Sequence, residues 1–491
     1  MLMPWVGEEM GAVNLGDERL NRRLRQVLSD LSERPTASIP AACGGHKEMA
    51  AAYRLFDNPK VALEKLLAPH FERSRQRIAQ QEVALLVQDT TELDLTRPEQ
   101  QVKGAGPLSD SARRGAFLHP LEAFTPDGTP LGAVWADIWA RDDTGPKESQ
   151  AVKQKKRKAA PIEEKESYRW LQGLRQAREV AGQCPNTTCV CVGDSEADIY
   201  ELFAEPRGPG ERVHWLIRLC HDRTLHEEGA EPPDEETAEP ARSLRARLQQ
   251  QAVLFTHQIT VRARKLRMSC EQRGRRQPRQ ARETVVAVRA TAVTLHPPSR
   301  PDRCLPPVTV NVVWVQEVNP PLGEEPVEWL LLTTLPIDTL DQVRQVIQYY
   351  CVRWMIEILF RTLKSGCRVE ERRFEELDRA LRCVAVYLIT AWRTLLLCRL
   401  GHSCPDLDCE AVFEPAEWKS VWVKTKREAP PARAPGLGEM VRLVAQLGGY
   451  VNRPGRSDPP GPQTVWLGLQ RMRNLAWAWD TIGPGATKPL V

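Results

Sequence analysis

Two short apolar runs, each leading into an aspartate, limit most strongly what this chain can fold into. Val83-Ala84-Leu85-Leu86-Val87-Gln88 ends at Asp89, and Thr187 to Val192 ends at Gly193-Asp194. Runs this short, apolar and β-branched, closed by polar residues, read as buried strands. Between them Phe117 to Phe124 and Leu131 to Trp139 read as two more strands, joined through the turn residues Pro126-Asp127-Gly128-Thr129. After a basic run, Lys153 to Lys158, the spacing of Trp170, Leu171, Leu174, Ala177 and Val180 predicts a helix before the fourth strand.

Three strands in a meander, a helix and a fourth strand form the opening order of a ribonuclease H-like α/β core. In such a core the ends of the first and fourth strands lie side by side. Asp89 and Asp194 are therefore expected to face each other across about a hundred positions of sequence. Residues 212–335 read as an all-β insertion, with strands at Val213–Leu219, Thr284–Leu295, Val308–Val318 and Trp329–Thr334. An acidic block, Asp222–Glu239, and a basic block, Arg262–Arg282, interrupt it. The basic block suits either a solvated hairpin or a DNA-facing one.

Residues 1–70 read as a small helical domain: Asp17 is an N-cap, and a second helix stops at Asp57-Asn58-Pro59. Its basic residues Arg19, Arg22, Arg23, Arg25, Lys47 and Arg54 suit a solvated face or phosphate contact. The core is expected over 71–401, and a second helical domain, with a proline-rich break at Pro454–Pro462, over 402–491. Trp466, Leu469, Leu475, Trp477 and Trp479 are expected to be exposed there.

With 68 basic and 64 acidic residues the net charge is +4, too balanced for a purely electrostatic binder, and 42% apolar residues exclude a wholly disordered chain. The first residues show no secretion signal. Arg393 and Arg399 interrupt the most apolar stretch, Cys383 to Leu400, so a core helix is expected and no membrane span. The thirteen cysteines are read as reduced thiols of a cytoplasmic protein. Neither Cys189 with Cys191 nor His402 with Cys404 and Cys409 has the paired spacing of a zinc site.

A third element supplies chemistry. Thr339 to Lys364 has strong helical periodicity, stopped at Gly366. On one continuous helix Tyr350, Arg353, Glu357 and Lys364 share a face about 60° wide. An exposed stripe with an Arg353–Glu357 pair is one reading. The other is a carboxylate that holds metal among donors that grip a DNA backbone. With Asp89 and Asp194 it makes three hard oxygen ligands, the set that divalent cations prefer. Two such ions can serve an in-line phosphoryl displacement.

VQDTTELDL at 87–95, VGDSEADIYEL at 192–202 and YCVRWMIEILFRTLKSG at 350–366 resemble the DDE transposases of the bacterial insertion-sequence-four family, the family of the transposon-five transposase. LGDERLNRRL at 15–24, AYRLFDNP at 52–59, EKES at 164–167, EVNPPLGEEPVEWLLLT at 317–333 and LGGY at 447–450 extend the likeness over nearly the whole chain. Ser195 replaces the usual arginine, Ile358 a common acid, and no lysine stands at Thr36–Ser38.

The resemblance implies that Asp89, Asp194 and Glu357 bind two Mg²⁺ ions, with Mn²⁺ as a substitute. Tyr350, Arg353 and Lys364 would grip the transposon end, Trp329 would take a flipped base, and Arg218 would contact DNA. Residues 1–70 would bind terminal inverted repeats, and 402–491 would form the synaptic homodimer. The implied activity is cut-and-paste transposition through nicking, hairpin formation, reopening and transfer of the 3′-OH ends to target DNA, in a bacterial, nucleoid-associated setting. A decayed or regulatory DNA-binding homologue and a simple Mg²⁺-dependent endonuclease are the alternatives.

Overall fold

The computed structural model describes residues 2–142, 156, 160–208, 210–226, 242–261, 263, 279–301, 303–451 and 459–483. Almost all of the run Lys153–Lys158, most of both charge blocks and most of the proline-rich break lie outside them. Among the described residues the strands are β1 (Val83–Gln88), β2 (Thr91–Asp94), β3 (Gly106–Pro107), β4 (Arg114–Phe124), β5 (Pro130–Trp139), β6 (Thr188–Gly193), β7 (Val213–Arg218), β8 (Phe255–Val261), β9 (Arg282–Leu295), β10 (Val308–Glu317) and β11 (Glu328–Thr333). The chain divides into two units. Gln81–Asp89 and Thr144–Arg353 form one; Met1–Gln80, Thr90–Asp143 and Trp354–Val491 form the other.

The first unit is built on seven strands in the order β1-β6-β7-β11-β10-β9-β8. The β1/β6 and β6/β7 pairs are parallel. From β7/β11 onward every pair is antiparallel. Residues Ala84–Val87 and Cys189–Val192 are fully buried. That explains their unbroken apolar sequence, because parallel strands are usually covered on both faces. The helix Tyr168–Gln183 packs beside them, and Gln88 Nε2 donates to Trp170 O at 3.2 Å. Gly173 permits this approach: a Cβ there would lie 2.1 Å from Gln88 Oε1.

The strands of 212–335 continue the sheet of β1 and β6. The region departs from the expectation in one way: it holds a helix, Leu244–Gln249, so it is not all-β. Ser243 caps this helix by accepting from Ala246 N–H at 3.0 Å, and Leu244 and Leu248 are buried one turn apart. Six residues are too few for periodicity to reveal.

In the second unit β4 pairs with β2, β3 and β5, all antiparallel. Helices Pro4–Glu9, Glu18–Glu33, His46–Asp57 and Leu63–Ile78 form the N-terminal part. Asp17 Oδ1 caps Glu18–Glu33 by accepting from Arg19 N–H at 2.7 Å. Leu63–Ile78 runs unbroken through residue 70. A polar knot ties these helices to β5. His70 Nε2 accepts from Ala133 N–H at 3.1 Å, so Nδ1 carries the proton and donates to Glu9 Oε1 at 2.5 Å. Arg77 clasps the same carboxylate at 2.9 and 3.0 Å.

The helix Leu377–Ser403 is long and apolar enough to cross a membrane, but 83% of its apolar window is buried in this unit. It joins the C-terminal helices Pro415–Lys426, Leu437–Leu447 and Pro462–Ile482 through Leu397, Trp418, Met440, Val444 and Leu469. Trp466 and Leu469 are thus buried, contrary to expectation, at 4% and 7% exposure, while Trp477 is 70% exposed. Trp466 lies against Gly366, where a Cβ would come within 2.9 Å of its ring.

Candidate active site

The β1/β6 register aligns Val83 with Thr188 and Val87 with Val192. Continued one residue past the end of each strand, that register puts Asp89 level with Asp194. Parallel pairing keeps both carboxylates at the same end of the sheet, which sequence distance alone conceals. Asp194 caps the short turn Ser195–Ala197, accepting from Glu196 N–H at 2.8 Å. Gly193 before it has no room for a side chain: a Cβ would meet Ala197 at 2.7 Å and Ile217 at 2.9 Å. Asp89 Oδ2 accepts from Arg353 Nη1 at 3.1 Å, with both side chains largely buried.

Tyr350 joins this cluster, 4% exposed. Burial pushes its phenol pKa up, opposed by the Arg218 and Arg353 guanidiniums and reinforced by the Asp194 carboxylate. Its buried hydroxyl lacks a well-formed hydrogen bond among the described residues. The Arg353 guanidinium lies within reach of it, and a polar ligand would complete its hydrogen bonding. The half-buried Trp329, at the start of β11, meets the Tyr350 ring edge-on at 5.6 Å and 62°. Arg218, at the end of β7, donates to Ser195 Oγ at 3.3 Å.

Asp89, Asp194, Arg218, Trp329, Tyr350 and Arg353 therefore gather in one unit, while Glu357 and Lys364 belong to the other. The single straight helix expected to carry four of the site residues is in fact interrupted. Thr339 caps Leu340–Val352 with a capping box closed by Gln342. A turn at Arg353 separates it from Trp354–Arg361, which carries half-buried Glu357 in its first turn. Lys364 sits in a π-turn, Thr362–Gly366. The 100° periodicity that placed all four side chains on one face does not hold through a π-turn.

Three acids had no role assigned to them from the sequence. Glu196 has its pKa raised by burial and by the neighbouring Asp194 and Glu166 carboxylates. Asp198 stitches the loop after β6 to the loop after β7, accepting from Cys220 N–H at 3.0 Å, His221 N–H at 3.1 Å and Arg223 Nε at 3.1 Å. Asp198, Cys220 and His221 place ligand atoms within 4.8 Å of one another. Their geometry does not suit a cation, because Arg223 and two backbone N–H groups already occupy both Asp198 oxygens. Asp198 was legible as part of the 192–202 motif, but its role needed the fold. Glu370 pairs with Lys364 at 3.7 Å, and no motif signalled it.

Asp89 and Asp194, level just past the ends of paired strands, are hard oxygen donors of the kind a divalent cation takes. Cys189 and Cys191 do not compete for that role: burial pushes both thiols up to about 12.

Comparison with known proteins agrees along the chain. The family described as transposase DNA-binding matches residues 2–61. The transposase DDE domain matches residues 170–391, a span that includes Asp194 and Glu357. The transposase Tn5 dimerisation domain matches residues 389–477. Among solved structures, a piggyBac transposase in a synaptic complex with hairpin DNA is similar over 100% of this chain and 83% of that one, at 9% identity and a TM-score of 0.36. The protein is a DNA transposase whose parts bind DNA, cut and transfer it with divalent metal, and dimerise. The chain belongs to the Tn5-like DDE transposases.

Proposed function

We propose that the protein excises its element through a hairpin intermediate and joins the freed 3′-OH ends to target DNA, on a ribonuclease H-like core. The observation that carries this reading is the level placement of Asp89 and Asp194, with Arg353 and Tyr350 beside them. Asp89, Asp194 and Glu357 are the residues that would hold Mg²⁺ or Mn²⁺, two ions per site. When bound, such ions activate the attacking oxygen and stabilise the leaving one. Arg353, Lys364 and Arg218 bring positive charge to the DNA backbone, and the Tyr350 hydroxyl offers it a donor. The half-buried indole of Trp329 offers a face on which an extruded base can stack, worth about 1–3 kcal/mol.

Residues 1–70 read terminal inverted repeats, 71–401 form the core, and 402–491 form the synaptic homodimer in the bacterial cytoplasm. Incubation of the full chain with its own flanking DNA and Mg²⁺ tests the reading. Hairpin-ended excision products are expected. Binding without cleavage supports a decayed or regulatory homologue, and nicking without hairpins or strand transfer supports a simple endonuclease.

A further inference from the structure

We propose that Glu370 is a positioning residue for the Lys364 ammonium, an inference that rests on the assignment of Lys364 to the DNA backbone. The helix Trp354–Arg361 gives way to the π-turn Thr362–Gly366, which re-aims Lys364 relative to an α-helical continuation. Arg368 then takes a left-handed conformation, φ 51°, and opens the turn Val369–Glu371. That reversal brings Glu370 back to Lys364, with Nζ and Oε1 3.7 Å apart and both side chains about three-quarters buried.

Glu370 is itself pinned from two sides. Its Oε1 accepts from Asp94 N–H at 2.9 Å, and its backbone carbonyl accepts from Arg97 Nη2 at 2.5 Å. Arg97 Nη2 also reaches the Arg372 carbonyl at 3.2 Å, so the whole turn is held against β2. A lysine carries about 2 kcal/mol of rotamer entropy, which a phosphate contact would otherwise have to overcome alone. A fixed carboxylate confines that flexible stem before DNA arrives.

A carboxylate beside a DNA-facing lysine can instead compete with phosphate. The distance decides between the two. At 3.7 Å the contact is longer than a hydrogen bond, so the three ammonium donors stay available for a phosphate oxygen. Glu370 orients the charge without consuming it.

The test uses full-length wild type, Glu370→Ala, Lys364→Ala and the double variant. End-DNA affinity and the KM and kcat of Mg²⁺-dependent nicking are measured, with thermal unfolding of each protein. Glu370→Ala is expected to weaken end binding and raise KM about five- to tenfold with kcat nearly unchanged, and to cost nothing further in the Lys364→Ala background. Glu370→Gln keeps the acceptor for Asp94 N–H, so it is expected to restore the melting temperature but not the affinity. Tighter DNA binding by Glu370→Ala makes Glu370 a competitor and overturns the proposal. An equal loss in the Lys364→Ala background makes it a purely structural residue and also overturns it. Unchanged binding by Lys364→Ala removes the DNA role of Lys364 itself, and the proposal falls with it.

Discussion

Arg353 donates to Asp89 across 3.1 Å, although 264 positions separate them in the chain. The carboxylate after β1 therefore has a guanidinium partner within the protein itself. We predict that Arg353→Ala slows nicking about 10- to 100-fold. Arg353→Lys should recover little, because a planar fork and a flexible ammonium are not interchangeable at such a site. Single-turnover nicking is the measurement, and wild-type rates for the lysine variant would refute the assignment.

Glu357→Ala, Asp89→Asn and Asp194→Asn should each leave end binding largely intact and reduce nicking by at least about 10³-fold. Their charges matter chiefly where charge develops in the transition state. If all three variants keep more than a few per cent of cleavage, the triad is wrong.

Trp329→Ala should nick transposon ends at near wild-type rate and accumulate nicked, unhairpinned DNA. A hairpin forces a sharp bend that base extrusion relieves, at an unstacking cost of a few kcal/mol, whereas nicking needs no bend. Equal loss of nicking and hairpinning would make Trp329 a packing residue against Tyr350.

Truncation after His402 is a poor test of dimerisation, because it strips the cover from Leu397 and Cys398 in the C-terminal core. The exposed Trp477 offers a cleaner probe. Trp477→Ala should keep the melting temperature and weaken the paired-end complex about tenfold, since aromatic anchors carry much of an interface's binding energy. Unchanged synapsis in gel shifts would place the dimer surface elsewhere.

The Glu9–His70–Arg77 knot makes a pH prediction. Burial pushes the Glu9 carboxyl up, but the hydrogen bonds from His70 and Arg77 and the Arg77 charge outweigh it and hold its pKa at about 2, below the ordinary 4.5. Burial lowers the pKa of His70, and its Nε2 accepts from Ala133 N–H, as only an unprotonated ring nitrogen can. A carboxyl with a depressed folded pKa stabilises the fold above its unfolded value, and that stability is lost as pH falls from about 4.5 to about 2. Glu9→Gln should therefore cost about 3 kcal/mol at neutral pH and flatten the acid limb of unfolding. Denaturation followed across that pH range checks it; an unchanged acid limb would show that the knot does not govern acid stability.

Much of the fold was legible in local pattern. The apolar runs 83–88 and 187–192, the Asp17 cap and the apolar stretch 383–400 each encode an element through neighbours a few residues away. The helix Leu244–Gln249 and strand β8 were not, because one is a six-residue element and the other has a largely exposed face with weak apolar pattern. The break at Arg353 and the π-turn at Lys364 were not legible either, since both interrupt a sequence that stays periodic throughout.

By itself the sequence determined the chemical inventory: acids closing two apolar strands, a third acid among donors, and motifs shared with a transposase family. The tertiary structure decided what that inventory touches. The order of strands and helix already led to Asp89 opposite Asp194; packing decided that Arg353 meets Asp89, that Trp466 turns inward and that Trp477 stays outside. Strand register and side-chain burial depend on partners more than a hundred residues away, and no local propensity carries that information.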